Sequence, residues 1–227
     1  MSTGNPSTLP MPSYQALITG GVGDLAKAIQ SSLEMAKIQT LAPGRYELDV
    51  TDSECVKKFI STVGDIDLLV CNAGATLDMP LARMSESDWD QVMQVNLKGA
   101  FLCAREVSRS MMKRRSGHIV FISSFSAIHP PAGQANYAAA KSALLGMMKS
   151  MAQELGARNV QVNAILPGFL ETKMTDNLSD EVKQAALQKH MLGRFNTPKV
   201  VGEFVAHLHQ NMPHTSGQVF NLDSRIV

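Results

Sequence analysis

Short apolar runs alternate along this chain with longer stretches of helical period, and no other feature restricts its fold as much. Ala16-Leu17-Ile18 ends at the turn Thr19-Gly20-Gly21, and a helical stretch follows from about Asp24 to Ala36. Further strand segments read at Ile38 to Ala42, Tyr46 to Val50, Ile66 to Val70, His118 to Ile122, Val160 to Ile165 and Gly217 to Leu222. Longer helical stretches run from about Glu86 to Met112 and from Asn136 to Leu155. A strand as uniformly apolar as Ile66 to Val70 has to be covered on both faces. Strand alternating with helix predicts an α/β fold: a Rossmann-like, doubly wound parallel sheet of about seven strands in one domain. Only Pro43-Gly44-Arg45 separates the second strand from the third, so their connection is shortened to a turn. The domain is expected to span residues 14–227. Met1 to Ser13, rich in Ser, Pro, Gly and Asn, reads as a disordered leader.

Composition removes several classes of function. Among 227 residues, 21 Lys and Arg balance 20 Asp and Glu, and a net charge of +1 gives no field toward nucleic acid or an anionic membrane. No apolar run approaches the ~18 residues of a spanning helix, and no basic segment precedes an apolar one at the N-terminus. Cys55, Cys71 and Cys103 are odd in number and widely spaced, which argues against a disulfide framework or a zinc site. They read as reduced thiols of a cytoplasmic protein, and no metal site is expected.

The glycine-rich turn Thr19-Gly20-Gly21-Val22-Gly23-Asp24-Leu25-Ala26 stands between a strand and a helix. Such a turn lets the backbone approach a diphosphate, which then sits at the positive end of the helix. Near the second strand, an acidic side chain would hold a ribose 2′-hydroxyl and an Arg a 2′-phosphate. The turn offers Arg45, whose guanidinium fork favours NADP, with NAD as the alternative. Tyr137 and Lys141 stand at i and i+4 on one helix, hence on one face. A phenol titrates near 10, and a nearby ammonium stabilises its anion. Asn96 lies inside a helix, where Asn is a poor choice.

Taken together these segments resemble the short-chain dehydrogenase/reductase family. Thr19-Gly20 matches the start of its Thr-Gly-x-x-x-Gly-x-Gly turn, although Asp24 and Ala26 replace its two later glycines. An outward Asp24 would complement the helix dipole without repelling a diphosphate. Asp49-Val50 resembles the family's adenine contact, and Cys71-Asn72-Ala73-Gly74 its Asn-Asn-Ala-Gly, with Asn72, Ala73 and Gly74 beside the adenosine ribose. Pro167-Gly168-Phe169-Leu170-Glu171-Thr172 resembles the segment that receives the nicotinamide carboxamide, through Pro167, Gly168, Leu170 and Thr172. Ser124 precedes Tyr137 by thirteen residues, at the position of the family's substrate-binding Ser. Val95-Asn96-Leu97-Lys98-Gly99 resembles the segment whose Asn completes the catalytic set.

The resemblance implies Asn96, Ser124, Tyr137 and Lys141 as catalytic residues. Gly20, Gly21, Val22, Gly23, Asp24, Leu25, Tyr137 and Lys141 would join the other named positions around the cofactor. Ala132 to Tyr137 and Pro167 to Thr172 are most like the 3-oxoacyl-acyl-carrier-protein reductase subgroup. The implied activity is NADPH-dependent reduction of a 3-oxoacyl thioester. The alternatives are a dehydrogenase of another alcohol, sugar or polyol, and a catalytically idle nucleotide-binding protein. The resemblance also implies a homotetramer and an acidic acyl-carrier partner docking at Arg115 and Arg158. His118, on a strand, reads as structural. Met174 to Met191 reads as a substrate cover, with Ala185, Ala186, Leu187 and Met191 on its apolar side.

Overall fold

A computed structural model describes residues 15–172 and 179–225. The expected leader and the first part of the expected cover, residues 174–178, lie outside the described residues. Six parallel strands form one sheet in the order β2-β1-β3-β4-β5-β6. They are β1 Ala16–Ile18, β2 Thr40–Leu41, β3 Leu68–Cys71, β4 Gly117–Ile122, β5 Val160–Leu166 and β6 Val219–Asn221. The helices are α1 Asp24–Met35, α2 Ser53–Val63, α3 Glu86–Met93, α4 Gly99–Arg114, α5 Ala135–Gly156, α6 Asp180–Leu187 and α7 Pro198–Asn211.

Alternation along the strands supplies both faces. Ala16 and Ile18 of β1 point with Leu68 and Val70 of β3 toward Ile29, Leu33, Val201 and Val205 of α1 and α7. Leu17 and Leu69 point the other way, with Phe121, toward Cys103, Val107, Leu144 and Met148 of α4 and α5. Strand order reverses between β1 and β3, and a doubly wound sheet opens its ligand crevice at the carboxyl ends of such a pair.

Three expectations need correction. Tyr46 to Val50 forms no strand, so the sheet has six strands rather than seven. The cause is chain length: a parallel crossover needs about a dozen residues or more, and three separate this segment from the previous strand. It turns instead, with Gly44 N–H donating to Glu47 at 2.8 Å, and drives Leu48 and Val50 into the core. Helix α2 was not expected; Asp52 caps it by accepting from the Glu54 and Cys55 amides. The long helix from Glu86 is interrupted by a π-helical turn at Gln94–Lys98, which carries Asn96. Helices α6 and α7 also escaped the strand-helix reading, although Thr197 before Pro198 is a helix-start signal.

Candidate active site

The turn after β1 leaves little room for side chains. Gly20 has φ +72°, and a Cβ on it would lie 2.9 Å from Ala73 Cα. Thr19 ties this turn to the end of β3, its hydroxyl accepting from the Asn72 and Ala73 amides at 3.0 and 2.9 Å. Asn72 Nδ2 returns a bond to the Thr19 carbonyl at 3.1 Å. Gly23 caps α1 without a side chain, which leaves the first amides of the helix facing the crevice. Asp24 complements the α1 dipole, but it lines the cleft rather than turning away from it.

A cleft of about 1370 Å³ opens here. It brings together Gly23, Asp24, Leu25, Asn72, Gly74, Ser124, Tyr137, Lys141, Pro167, Gly168, Leu170 and Thr172 of the expected residues. Gly20, Gly21, Val22 and Ala73 form the turn behind it, with Gly21 packed against the Ala42 carbonyl. Arg45, Asp49 and Val50 do not line it. The Arg45 side chain is 77% exposed, and its Nε lies 3.5 Å from the Asp49 carboxylate. Hydrogen bonds from Thr51 chiefly, and then Arg45, hold the Asp49 carboxyl below its usual range. Val50 turns its side chain onto Gly99, so only its backbone remains for a ligand.

Beyond the carboxyl end of β4, Ser124 and Tyr137 line the cleft together, near enough for the serine hydroxyl to pull the phenol pKa down. Ser124 Oγ also accepts from the Ser126 amide at 3.1 Å. Ser123, its neighbour, is buried and donates to the Lys141 carbonyl at 2.9 Å, a structural bond, whereas Ser124 lines the cleft. Lys141 is itself buried, with Nζ donating to the Ile122 carbonyl at 2.9 Å and lying 5.6 Å from the Tyr137 ring centroid. Burial lowers the Lys141 pKa to about 8. Burial also raises the Tyr137 pKa above its usual value, against the pull of Ser124, so the ammonium does not bring the phenol down in the protein alone.

The π-turn aims Asn96 under this group. Its amide donates to the Ala75 and Val92 carbonyls at 2.8 and 2.9 Å, and its Oδ1 is buried without a hydrogen-bond partner among the described residues. A Cβ on Gly74 would sit 3.0 Å from that oxygen and 3.6 Å from Lys141 Nζ. Glycine at position 74 thus keeps open the space that both polar atoms face. A dinucleotide fits these features: a tight glycine turn, the positive end of a helix at a switch point, and polar groups around a hollow that a Cβ would fill.

Sequence reasoning missed several cleft residues. Gln134 donates to Asp78 at 2.7 Å and accepts from the Ser126 hydroxyl at 3.0 Å, and Asp78 adds to the rise in the Tyr137 pKa. Arg225 enters the cleft on the substrate side, stacked on Phe125. Asp78 and Arg225 are single charges in irregular segments, and no spacing marks them. From the cover, Val182, Ala185, Ala186 and Met191 line the cleft and Leu187 does not. His118 stands apart, buried against Asn163 and His209. Cys71 and Cys103 are buried and Cys55 half-buried, and none of the three is in a disulfide. No helix among the described residues is long and apolar enough to cross a membrane.

A family model described as short chain dehydrogenase matches residues 15–183. The 3-oxoacyl-acyl-carrier-protein reductase FabG of Thermotoga maritima is 42% identical over 213 residues, covering 90% of this chain and 86% of the relative. That of Aquifex aeolicus is 40% identical over 212 residues, covering 91% and 85%. The solved structure of ElxO with NADP bound has a TM-score of 0.87 at 23% identity, covering 94% of this chain and 98% of that one, a likeness of fold. The residues matched by the family model span the glycine turn, Asn96, Ser124, Tyr137 and Lys141, and with relatives this similar over most of its length the chain belongs to the short-chain dehydrogenase family.

Proposed function

We propose that the chain reduces the keto group of a 3-oxoacyl thioester to a secondary alcohol with NADPH. The observation that carries this reading is the gathering of Ser124, Tyr137 and buried Lys141 in one cleft beside the glycine turn before α1. The names of the relatives favour the acyl thioester among carbonyl substrates. NADPH would supply the hydride that reaches the keto carbon, and leaves as NADP. Gly23, Leu25 and the α1 amides would hold its diphosphate, Asn72 to Gly74 its ribose, Arg45 its 2′-phosphate, and Pro167 to Thr172 its nicotinamide end.

The residues of the chain do the rest. Ser124 orients the keto oxygen by donating a hydrogen bond. Tyr137 stands protonated at neutral pH, because burial raises its pKa, and gives that proton to the oxygen as charge develops. The phenolate so formed is stabilised by the Ser124 hydroxyl and by the Lys141 ammonium. With a pKa of about 8, Lys141 exchanges protons near neutral pH, where an ordinary lysine would not. Asn96 Oδ1 would accept a hydrogen bond from a water that relays those protons through Lys141.

Two further parts belong to the same reading. The substrate arrives on an acidic acyl carrier, steered by Arg115 and Arg158. Arg115 Nη2 also donates to the Ala157 carbonyl at 3.0 Å, so its side chain closes the end of α5 as well. The protein assembles as a homotetramer through the outer faces of α4 and α5, where Phe101 is exposed, and through the last strand. A single-chain mass by light scattering at micromolar concentration would contradict that assembly. The main test is NADPH oxidation with a short 3-oxoacyl thioester. Turnover of that substrate supports the reading; turnover of sugars or polyols alone, or of nothing, overturns it.

A further inference from the structure

Arg225 is held in the cleft by contacts that fix its plane. Asp223, fully buried, accepts from the Arg225 backbone amide at 2.9 Å and from Nε at 2.8 Å, and takes a third bond from Nη2. The Arg225 side chain is 16% exposed, and its Cζ lies 3.6 Å from the centroid of the Phe125 ring. Asp223 is positioned in turn by its surroundings: its Cβ occupies the space that a side chain on Gly168 would need, and His190 Nε2 lies 3.7 Å from its carboxylate. His190 packs edge-on against Phe195, which stacks on Phe169. A guanidinium locked this way has lost its rotamer freedom before any ligand arrives, so a contact made with it costs little further ordering.

The chemistry it offers is specific. Nε and Nη2 are turned to Asp223, while Nη1 has no hydrogen-bond partner among the described residues. Asp223 already pairs with the guanidinium, which remains an ionised donor but favours a neutral oxygen over an anion as its further acceptor. Phe125 directly follows Ser124, and Ser124, Phe125, Tyr137 and Arg225 line one cleft. Because Arg225 stacks on the residue next to Ser124, a substrate whose keto oxygen meets Ser124 and Tyr137 has Arg225 within the same cleft for a second carbonyl.

We propose that Arg225 is a substrate-binding residue that donates from Nη1 to the thioester carbonyl of a 3-oxoacyl substrate, while Ser124 and Tyr137 hold the keto oxygen. The inference rests on the reductase reading and names which part of the substrate the cleft selects: the 1,3-dicarbonyl unit, over a lone ketone. No bond is made or broken at Arg225; it orients the acyl chain so that the keto carbon is presented.

The test uses the full chain, NADPH and two substrates: the N-acetylcysteamine thioester of acetoacetate, and a methyl ketone of equal length without the thioester carbonyl. Arg225→Ala is expected to lower kcat/KM for the thioester roughly 10- to 100-fold, the range of a hydrogen bond to a charged group. It is expected to leave the ketone and the Kd of NADPH, read by fluorescence, within about twofold. Arg225→Lys keeps the stem and charge but loses the planar fork, and is expected to show the same selective loss; it carries the test if Arg225→Ala lowers the melting temperature. Equal losses on both substrates, or a raised NADPH Kd, would overturn the role of Arg225. Wild-type protein that reduces the ketone and ignores the thioester would instead overturn the reductase reading, whatever the variants do.

Discussion

At the scale of single residues, the sequence carried the chemistry wherever spacing expresses it. Tyr137 and Lys141 at i and i+4 had to share a helix face, and they do. What spacing does not express is desolvation. An ammonium near a phenol lowers the phenol's pKa in open solvent, yet here burial of both groups dominates: Tyr137 rises and Lys141 falls to about 8. Tyr137→Phe is expected to keep the fold and NADPH binding while losing turnover by about 10²- to 10⁴-fold. Steady-state rates beside an NADPH binding titration check this, and near-normal activity would remove Tyr137 as the proton donor. Arg45 makes a second case. Its side chain is largely exposed and shared with Asp49, so its contact with a 2′-phosphate would lie at the low end of the ~1.5–3 kcal/mol of a charge-assisted bond. Arg45→Ala should raise KM for NADPH about tenfold and hardly move that for NADH. Equal changes for both would show that Arg45 does not distinguish the two cofactors. Arg225 was illegible for a different reason: Asp223 stands only two residues away, but Phe125 and the cleft that both enter are met only through the tertiary fold.

At the scale of elements, periodicity located most strands and misplaced one. Tyr46 to Val50 alternates like a strand, but a parallel neighbour cannot be reached in three residues, and connection length overrides local pattern. The segment keeps its apolar side chains and spends them as core, Leu48 and Val50 packing under α4. The π-turn was equally unreadable, since one extra residue in a helical turn leaves the apolar pattern nearly unchanged. Its effect is large all the same, because it points Asn96 inward and begins α4 at Gly99. Gly99 is where the two features meet. A Cβ there would lie 2.7 Å from Val50 Cγ2 and 3.2 Å from the Val50 carbonyl. Alanine gains about 1 kcal/mol of helix propensity over glycine. Overpacking typically costs ~1–3 kcal/mol, and both the Val50 Cβ at 3.0 Å and its carbonyl at 3.2 Å are fixed by the backbone, so the clash wins. Gly99→Ala is expected to destabilise the protein by about 1–2 kcal/mol in urea unfolding. Adding Val50→Ala should then cost less than Val50→Ala costs alone, because it removes the methyl that the new Cβ meets. An unchanged or raised unfolding midpoint for Gly99→Ala would show that the turn yields freely.

Over the whole molecule, a large share of the acid sensitivity is expected from His118, at the amino end of β4 and so at the opposite end of the sheet from the cleft. His118 is buried on β4, its Nε2 facing Asn163 Nδ2 at 3.0 Å, and Asn163 Nδ2 also donates to the Thr215 carbonyl at 2.8 Å. Asn163 must be the donor to the ring, so Nε2 is an acceptor and His118 is neutral in the fold. Burial, with the His209 ring stacked 5.8 Å away, lowers its pKa from 6.5 to about 3. The unfolded chain takes up a proton below about pH 6.5, whereas the folded chain refuses it until about pH 3. The unfolded state therefore binds more protons throughout that window, and stability falls as pH falls through it, by about 1.4 kcal/mol per pH unit from this one group. Above pH 6.5 both states are neutral there, and the contribution is flat. Between pH 7.5 and 4.5 the loss amounts to about 3 kcal/mol, a large part of the ~5–15 kcal/mol that holds a typical domain folded. His209 is shifted in the same direction by burial and adds to the slope. His118→Gln keeps an acceptor for Asn163 without a group that titrates in this range. Urea unfolding at pH 7.5, 5.5 and 4.5 should then give a variant that is no more stable than the parent at pH 7.5, yet loses markedly less stability on acidification. Parallel pH profiles for the two proteins would place the acid sensitivity elsewhere, in the carboxylates, and would leave His118 with a packing role alone.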